Sequence, residues 1–142
     1  MNALFDKFSA PLDLAGRILL ALIFVAAGAG KIGGYAGTQA YMESAGVPGT
    51  LLPLVILVEL GGGLLLAAGL FTRVMALALA GFTVIAALLF HFDLADQMQQ
   101  IMFMKNLAIA GGLAVVLSRA PGAWSVDALL ARRFGRSVAQ VG

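Results

Sequence analysis

Long apolar runs separated by short polar segments dominate the chain. A helix needs about 20 mostly apolar residues to cross a hydrocarbon core about 30 Å thick. Four runs come close to that length, and they cover residues 14–30, 51–70, 74–90 and 101–117. The pattern therefore predicts an all-α fold, an integral membrane bundle of four transmembrane helices.

The segments between the runs predict how the helices connect. Only Phe71, Thr72 and Arg73 separate the second and third runs, which indicates a tight antiparallel turn. The first connection is longer and rich in glycine, and residues 38–45 within it favour a short interfacial helix. Ser125 is a typical N-cap residue, so residues 125–133 are expected to form a short amphipathic helix on the membrane surface. Residues 1–142 are expected to form a single membrane domain.

The composition supports a membrane protein and excludes several other classes. The chain is 61% hydrophobic and 11% charged, whereas soluble domains carry about 25% charged residues. Cysteine is absent, so the chain itself offers no disulfide, thiolate nucleophile or iron–sulfur ligand. The basic residues do not form a dense patch interleaved with aromatics. Membrane lipid is therefore an expected partner, and nucleic acid is not.

The distribution of Lys and Arg predicts the orientation in the membrane, because cytoplasmic loops are enriched in these residues. With both termini in the cytoplasm, only Lys31 and Lys105 face outward. The other basic residues then all lie on the cytoplasmic side: Lys7, Arg17, Arg73, Arg119, Arg132, Arg133 and Arg136. The chain is therefore expected to be a multi-pass protein with cytoplasmic termini.

Polar residues within the apolar runs point to a pocket. Glu59 lies eight residues beyond Leu51, which is roughly 12 Å into the membrane at about 1.5 Å per residue. Ionisable side chains at such depth are costly and by default mark function or pairing. Each of the other runs places polar residues at a similar depth, namely Lys31, His91, Lys105 and Asn106. Glu59 and His91 are the candidate catalytic residues, and Lys31, Lys105 and Asn106 are candidate ligand-binding residues.

Simpler interpretations of the same residues stay open. A buried Glu–Lys pair can serve only to fix helix register, and His91 can be a solvated helix end. Arg17 and Arg73 are expected to lie at the membrane interface and to extend towards lipid phosphates. No metal site is expected. Haem or copper would need His91 with Met98, Met102 or Met104, but methionine in membrane helices usually serves apolar packing.

Small residues spaced four apart predict how the helices pack, since they let backbones approach closely in lipid. Each run contains one such pair: Ala26 and Gly30, Gly63 and Ala67, Ala76 and Ala80, and Ala108 and Gly112.

An ordered series of short motifs resembles the DoxX family of small bacterial membrane proteins. The motifs begin with Arg17 and extend over most of the chain to Asp127. They are Gly28-Ala-Gly-Lys31, Gly46-Val-Pro48, Glu59-Leu-Gly-Gly-Gly, Gly69-Leu-Phe-Thr72-Arg73, Leu89-Phe-His91, Lys105-Asn106 and Ser125-Val-Asp127. The resemblance implies four transmembrane helices in the bacterial cytoplasmic (inner) membrane. It also implies a link to quinone-dependent or thiol-linked oxidoreductases and to stress resistance, without a shared catalytic mechanism.

Three functional hypotheses follow. The first is a membrane subunit of an oxidoreductase system that binds a quinone and receives electrons from a partner, because the chain has no evident redox centre of its own. The second is a non-enzymatic anchor or assembly factor that docks a soluble oxidoreductase through the helix after Ser125. The third is a small transporter or proton-linked channel in which Glu59 relays protons. Whether the chain is catalytic, and whether it forms a homo-oligomer, is left open by the sequence.

Overall fold

The computed structural model describes residues 2–139 of the chain, and the side chains of residues 6–135. Its helices are α1 (Asn2–Gly33), α2 (Tyr35–Ser44), α3 (Gly49–Ala68), α4 (Thr72–Phe90), α5 (Gln97–Arg119) and α6 (Val126–Ala139). Helices α1, α3, α4 and α5 are long and apolar enough to cross a membrane. The described part of the chain contains no strand. The expected all-α fold with four membrane helices and a short C-terminal helix is confirmed.

Local capping explains where two helices begin. Helix α5 begins at Gln97, before the apolar run at 101, because the Asp96 carboxylate accepts a hydrogen bond from the Gln99 backbone N–H at 2.9 Å. Helix α6 begins after Ser125, whose Oγ accepts from the Ala128 N–H at 3.1 Å. This is the N-cap geometry that the sequence predicts, although α6 continues beyond residue 133 to Ala139. In the first connection, α2 corresponds to the interfacial helix expected at 38–45.

Helix α3 changes its winding along its length. It opens with a 3₁₀ turn at Gly49–Leu51 and continues as α-helix over Leu52–Ile56. A π-helical turn follows at Leu57–Gly61, after which the α-helix resumes at Gly62–Ala68. Single π turns inside α-helices are rare and are frequent at functional sites. The one ionisable residue of this helix, Glu59, lies within the π turn.

Close contacts between α1 and α3 depend on glycine. A Cβ atom on Gly28 would lie 2.8 Å from the Leu60 backbone nitrogen, and one on Gly63 would lie 3.1 Å from Phe24 Cβ. The prediction that Ala26 and Gly30 pack against a neighbour is wrong, because both are exposed. Gly28 makes the close approach instead.

The other predicted small-residue pairs lie closer to the interior. Ala67 and Ala80 pack against the buried core, in which Ala76 is fully enclosed. In the fourth pair, Gly112 lies against Leu20 whereas Ala108 is exposed. The main core cluster joins the four long helices, through Ala21, Phe24, Leu66, Ala76, Leu79, Leu113 and Val116.

The antiparallel helices give the bundle two distinct ends. The Arg17 end, defined by Arg17, the α3–α4 turn and the start of α6, is held by hydrogen bonds between these elements. The Lys31 end, defined by Lys31, α2, the start of α3 and the α4–α5 connection, contains the candidate site.

Candidate functional site

A cavity of about 620 Å³ lies among the helices in the Lys31 half of the bundle. Its walls come from α1 to α5 and are mostly apolar. All five residues that the sequence singles out for a pocket line it: Lys31, Glu59, His91, Lys105 and Asn106. The structure thus brings the predicted residues to one cavity, while their catalytic and binding roles stay predictions.

Glu59 and Lys31 form an ion pair in the wall of this cavity. Lys31 Nζ lies 2.8 Å from Glu59 Oε2, and the two side chains are 26% and 8% exposed. Among the described residues, no hydrogen bond of good geometry reaches this buried carboxylate oxygen. Electrostatic attraction between the two charges therefore holds the pair together, and it links the end of α1 to the π turn of α3. Glu59 does not face lipid as an isolated charge.

The His91 ring is fixed by Gln99, a residue outside the cavity wall. It follows the last residue of α4, and its backbone N–H donates to the Ala87 carbonyl at 3.0 Å. Its ring atom Nδ1 lies 2.8 Å from Gln99 Oε1, within hydrogen-bond distance. Gln99 was not predicted as a site residue, because nothing in the sequence distinguishes it from the neighbouring glutamines.

The two cationic side chains of the cavity differ in their pairing. Lys31 is neutralised by Glu59, whereas Lys105 Nζ lies 3.2 Å from Met102 Sδ and forms no ion pair with a described carboxylate. Asn106, the next residue on α5, forms no side-chain hydrogen bond with the described residues. Helix α5 therefore presents two donors to the cavity: the Asn106 amide, which has no described partner, and the Lys105 ammonium, whose described acceptor is the weakly accepting Met102 sulfur.

An aromatic stack that the sequence did not predict forms another part of the wall. The rings of Tyr41 and Phe90 lie 5.4 Å apart with 22° between their planes.

The two threonines of the wall form hydrogen bonds within the chain segment that carries them: Thr38 Oγ1 donates to the Gly34 carbonyl and Thr83 Oγ1 to the Leu79 carbonyl. The described residues contain no group of three His, Asp or Glu side chains that could hold a metal ion. Tyr41, which lies on the predicted interfacial helix, is the sequence feature from which the aromatic part of the wall could be predicted.

Arg17 does not reach towards lipid phosphates, and that prediction is wrong. Its side chain is 0% exposed at the Arg17 end. The guanidinium donates to the carbonyls of Leu66 and Ala67 at 3.2 and 3.3 Å, to the Trp124 carbonyl, and to Asp13 Oδ2 at 3.1 Å. The last carbonyls of a helix lack partners within it, and the five N–H donors of arginine can satisfy several at once. Arg73 is exposed, and its Nε donates to the Ala120 carbonyl at 2.9 Å.

Asp127 completes the network at this end. Its carboxylate accepts from the backbone N–H groups of Phe71 and Thr72 at 2.9 and 2.8 Å and from Thr72 Oγ1 at 2.7 Å. Burial raises the pKa of this carboxyl, but the hydrogen bonds from Thr72 and Phe71 outweigh it and hold the pKa below its usual value. The Asp127 N–H donates to the Gly69 carbonyl at 2.9 Å. These bonds fix the start of α6 against the α3–α4 turn.

Comparison with known proteins identifies the family. The DoxX family profile matches residues 12–92, which is more than half of the chain. The inner membrane protein YqjF of Escherichia coli K12 is 53% identical over 121 residues, which cover 85% of this chain and 93% of that protein. The inner membrane protein YphA of the same organism is 35% identical over 121 residues, covering 80% and 86%. No solved structure matches the chain significantly. The chain therefore belongs to the DoxX family of membrane proteins.

Proposed function

We propose that the protein lies in the bacterial inner membrane with both termini in the cytoplasm, and that its cavity binds a quinone or a similar flat aromatic compound for an oxidoreductase system. The observation that carries this proposal is the cavity itself: a mostly apolar chamber within the membrane helices with a few polar groups in its wall. The inner-membrane location of the two relatives and the distribution of Lys and Arg support the placement.

The size and lining of the cavity suit such a ligand. Small-molecule sites have volumes of about 300–1,000 Å³ and combine apolar walls with a small number of polar groups, and this cavity has about 620 Å³. The stacked rings of Tyr41 and Phe90 provide a flat aromatic surface against which a ring can pack. The apolar remainder of the wall can accommodate a hydrocarbon tail.

The polar groups supply what a quinone oxygen needs. The Asn106 amide is a donor without a partner among the described residues, and the Lys105 ammonium, which donates only to the weakly accepting Met102 sulfur, has further donors to offer; both lie on α5. The Lys31–Glu59 pair is neutral as a unit, so it lines the cavity without an excess charge. Glu59 is the group in the wall able to exchange a proton with a ring oxygen. Electrons would come from a partner oxidoreductase.

Direct binding measurements test the proposal. The protein is placed in lipid nanodiscs, and the affinity for a short-chain alkyl benzoquinone is measured by equilibrium dialysis. We expect Asn106→Leu to weaken binding at least 10-fold, because a half-buried donor in the cavity wall is lost. Gln100→Leu, an exposed neighbour on α5 outside the cavity wall, is the matched control and should leave the affinity unchanged. Equal affinities for both variants and the wild type would count against this site.

A second pair of variants tests the cavity by volume. Ala86 lines the cavity, whereas Val84 lies two residues away on α4, outside the wall and 37% exposed. Ala86→Phe should fill the chamber and abolish binding, and Val84→Phe should not. Binding that survives Ala86→Phe would place the ligand elsewhere on the protein.

The exposed face of α6 favours a second candidate function, that of a docking platform for a soluble oxidoreductase. Trp124, Leu129 and Phe134 at or on this helix are 56%, 58% and 69% exposed. Truncating the chain after Pro121 is a poor test, because it removes the Trp124 carbonyl that Arg17 binds. Leu129→Ser with Phe134→Ser keeps α6 in place. Loss of co-purifying oxidoreductase in this variant, with ligand binding intact, would support the platform.

A further inference from the structure

The hydrogen bond between His91 and Gln99 determines which ring nitrogen can face a ligand. Nδ1 lies 2.8 Å from the amide oxygen of Gln99. An amide oxygen can only accept a hydrogen bond, and a neutral imidazole carries its proton on one of its two nitrogens. Nδ1 is therefore the protonated nitrogen, and Nε2 is left as an acceptor.

Gln99 is itself held in place from the cap of α5. Its backbone N–H donates to Asp96 Oδ1 at 2.9 Å, at the start of the helix. Gln99 does not line the cavity, whereas His91 does. No described residue forms a hydrogen bond with Nε2. The ring thus uses one nitrogen to fix its position, and its other nitrogen has no partner among the described residues.

From this we infer that Gln99 is a positioning residue that sets the tautomer of His91, and that the cavity prefers the hydroxyl-bearing, reduced form of its aromatic ligand. The inference rests on the proposed function and deepens it. A hydroquinone hydroxyl can donate to Nε2. A quinone carbonyl can only accept, so beside Nε2 two lone pairs would face each other.

The remaining polar groups fit the same ligand. Lys105 and Asn106 on α5 are donors, and a hydroxyl oxygen can accept from them as well as a carbonyl oxygen can. The acceptor at His91 is therefore the group that separates the two redox forms. Sites that bind a substrate hydroxyl reject analogues lacking it because a buried polar group is left unpaired. We expect hydroquinone to bind at least 10-fold more tightly than the matching quinone.

The experiment exploits the fact that His91 is the single histidine of the chain. Protein labelled with ¹⁵N in histidine is studied by NMR in lipid nanodiscs, at an alkaline pH at which imidazole is neutral. The expected spectrum shows a protonated Nδ1 and an unprotonated Nε2. Gln99→Glu keeps an acceptor at Nδ1 and should preserve this tautomer, whereas Gln99→Met should lose it. Gln100→Met is the matched control and should behave as wild type.

Binding of a short-chain alkyl hydroquinone and its quinone is measured anaerobically on the same samples. Gln99→Met should reduce the preference for hydroquinone to less than 3-fold, and Gln99→Glu should retain it. A wild-type spectrum with the proton on Nε2 overturns the role of Gln99. The expected tautomer with equal binding of both compounds overturns the selectivity. If neither compound binds, the proposed function fails, and the role of Gln99 in setting the tautomer stands on the spectrum alone.

Discussion

Removing Lys31 and removing Glu59 should destabilise the protein by different amounts. Removing one partner of a buried ion pair costs about 3–5 kcal/mol when the remaining charge stays buried and uncompensated. Lys31→Met leaves Glu59, which is 8% exposed and has a short side chain, without its neighbour. We therefore expect this variant to lose about 3–5 kcal/mol of unfolding free energy. Glu59→Met leaves Lys31, which is 26% exposed and long enough to turn towards the interface. That variant should lose only about 1–2 kcal/mol.

The double variant isolates the interaction between the two residues. Replacing a whole buried ion pair by apolar side chains is often neutral, so Lys31→Met with Glu59→Met should lie within about 1–2 kcal/mol of the wild type. The two single changes then fail to add, and the double-mutant cycle yields a coupling of about 3 kcal/mol. The cause is that the apolar replacement leaves no unpaired charge behind.

Because the chain has no cysteine of its own, a single introduced cysteine can report the unfolding of each variant in this cycle. A cysteine placed at the fully buried Ala76 reacts with a thiol reagent only when the bundle opens. Its rate of modification, measured in mixed micelles over a range of sodium dodecyl sulfate concentrations, gives the free energy of unfolding. Ala76→Cys alone is the reference for all variants. Equal losses for the two single variants, or a double variant equal to their sum, would refute the reasoning.

Three further predictions concern the Arg17 end and use the same assay. Gly69→Ala should cost at least about 1–2 kcal/mol more than Gly46→Ala. Both glycines have positive φ (71° and 77°), but only at Gly69 would the added Cβ collide with Arg17 and Ser125. Equal costs would contradict the close packing. Arg17→Lys should lose about 2–4 kcal/mol because an ammonium cannot reproduce the fork of donors, whereas the exposed Arg73→Lys should lose under about 1 kcal/mol. Asp127→Asn should cost about 0.5–2 kcal/mol, because the amide keeps only one acceptor oxygen for the bonds from Phe71 and Thr72. Because the pKa of Asp127 is lowered on folding, the stabilisation by its carboxylate is complete above the unfolded value of about 3.9 and is lost as pH falls through the folded value. Wild type and Asp127→Asn should therefore have equal free energies of unfolding in acid. This comparison is followed by circular dichroism, because a protonated thiol does not react with the reagent.

Much of the pocket could be predicted because membrane depth can be counted along a sequence. The rise per residue places Glu59, Lys31, His91 and Lys105 at one level, and an ionisable residue in hydrocarbon needs a partner. Which residue pairs with Glu59 could not be predicted, since Lys31 and Lys105 satisfy the same depth. Whether Glu59 pairs with Lys31 or Lys105 depends on helix packing and on the π turn of α3. No periodicity in the sequence predicts that turn.

The prediction for Arg17 fails for a different physical reason. Near the membrane surface an arginine usually reaches water or phosphate, and Asp13, four residues earlier, indicates only an ion pair along the same helix. Its partners are backbone carbonyls of Leu66, Ala67 and Trp124, which are remote in sequence and carry no residue-specific signal. Gly28 was overlooked for a similar reason: small residues at 26, 28 and 30 are all candidates for packing, and helix orientation selects one.

The contrast between the two ends of the bundle supports our proposal that the ligand site lies at the Lys31 end. At the Arg17 end, Arg17 and Asp127 form hydrogen bonds with backbone groups of other elements, and Asp13 pairs with Arg17. These bonds have a structural role, because they hold the elements together. A purely structural role for the Lys31–Glu59 pair would account for that pair alone. It would not account for His91, whose ring is fixed by Gln99 on one side and unpaired on the other, nor for Lys105 and Asn106 on the same wall. A mostly apolar cavity of about 620 Å³ with these polar groups in its wall has the features of a small-molecule site, which supports the ligand-binding role that we propose.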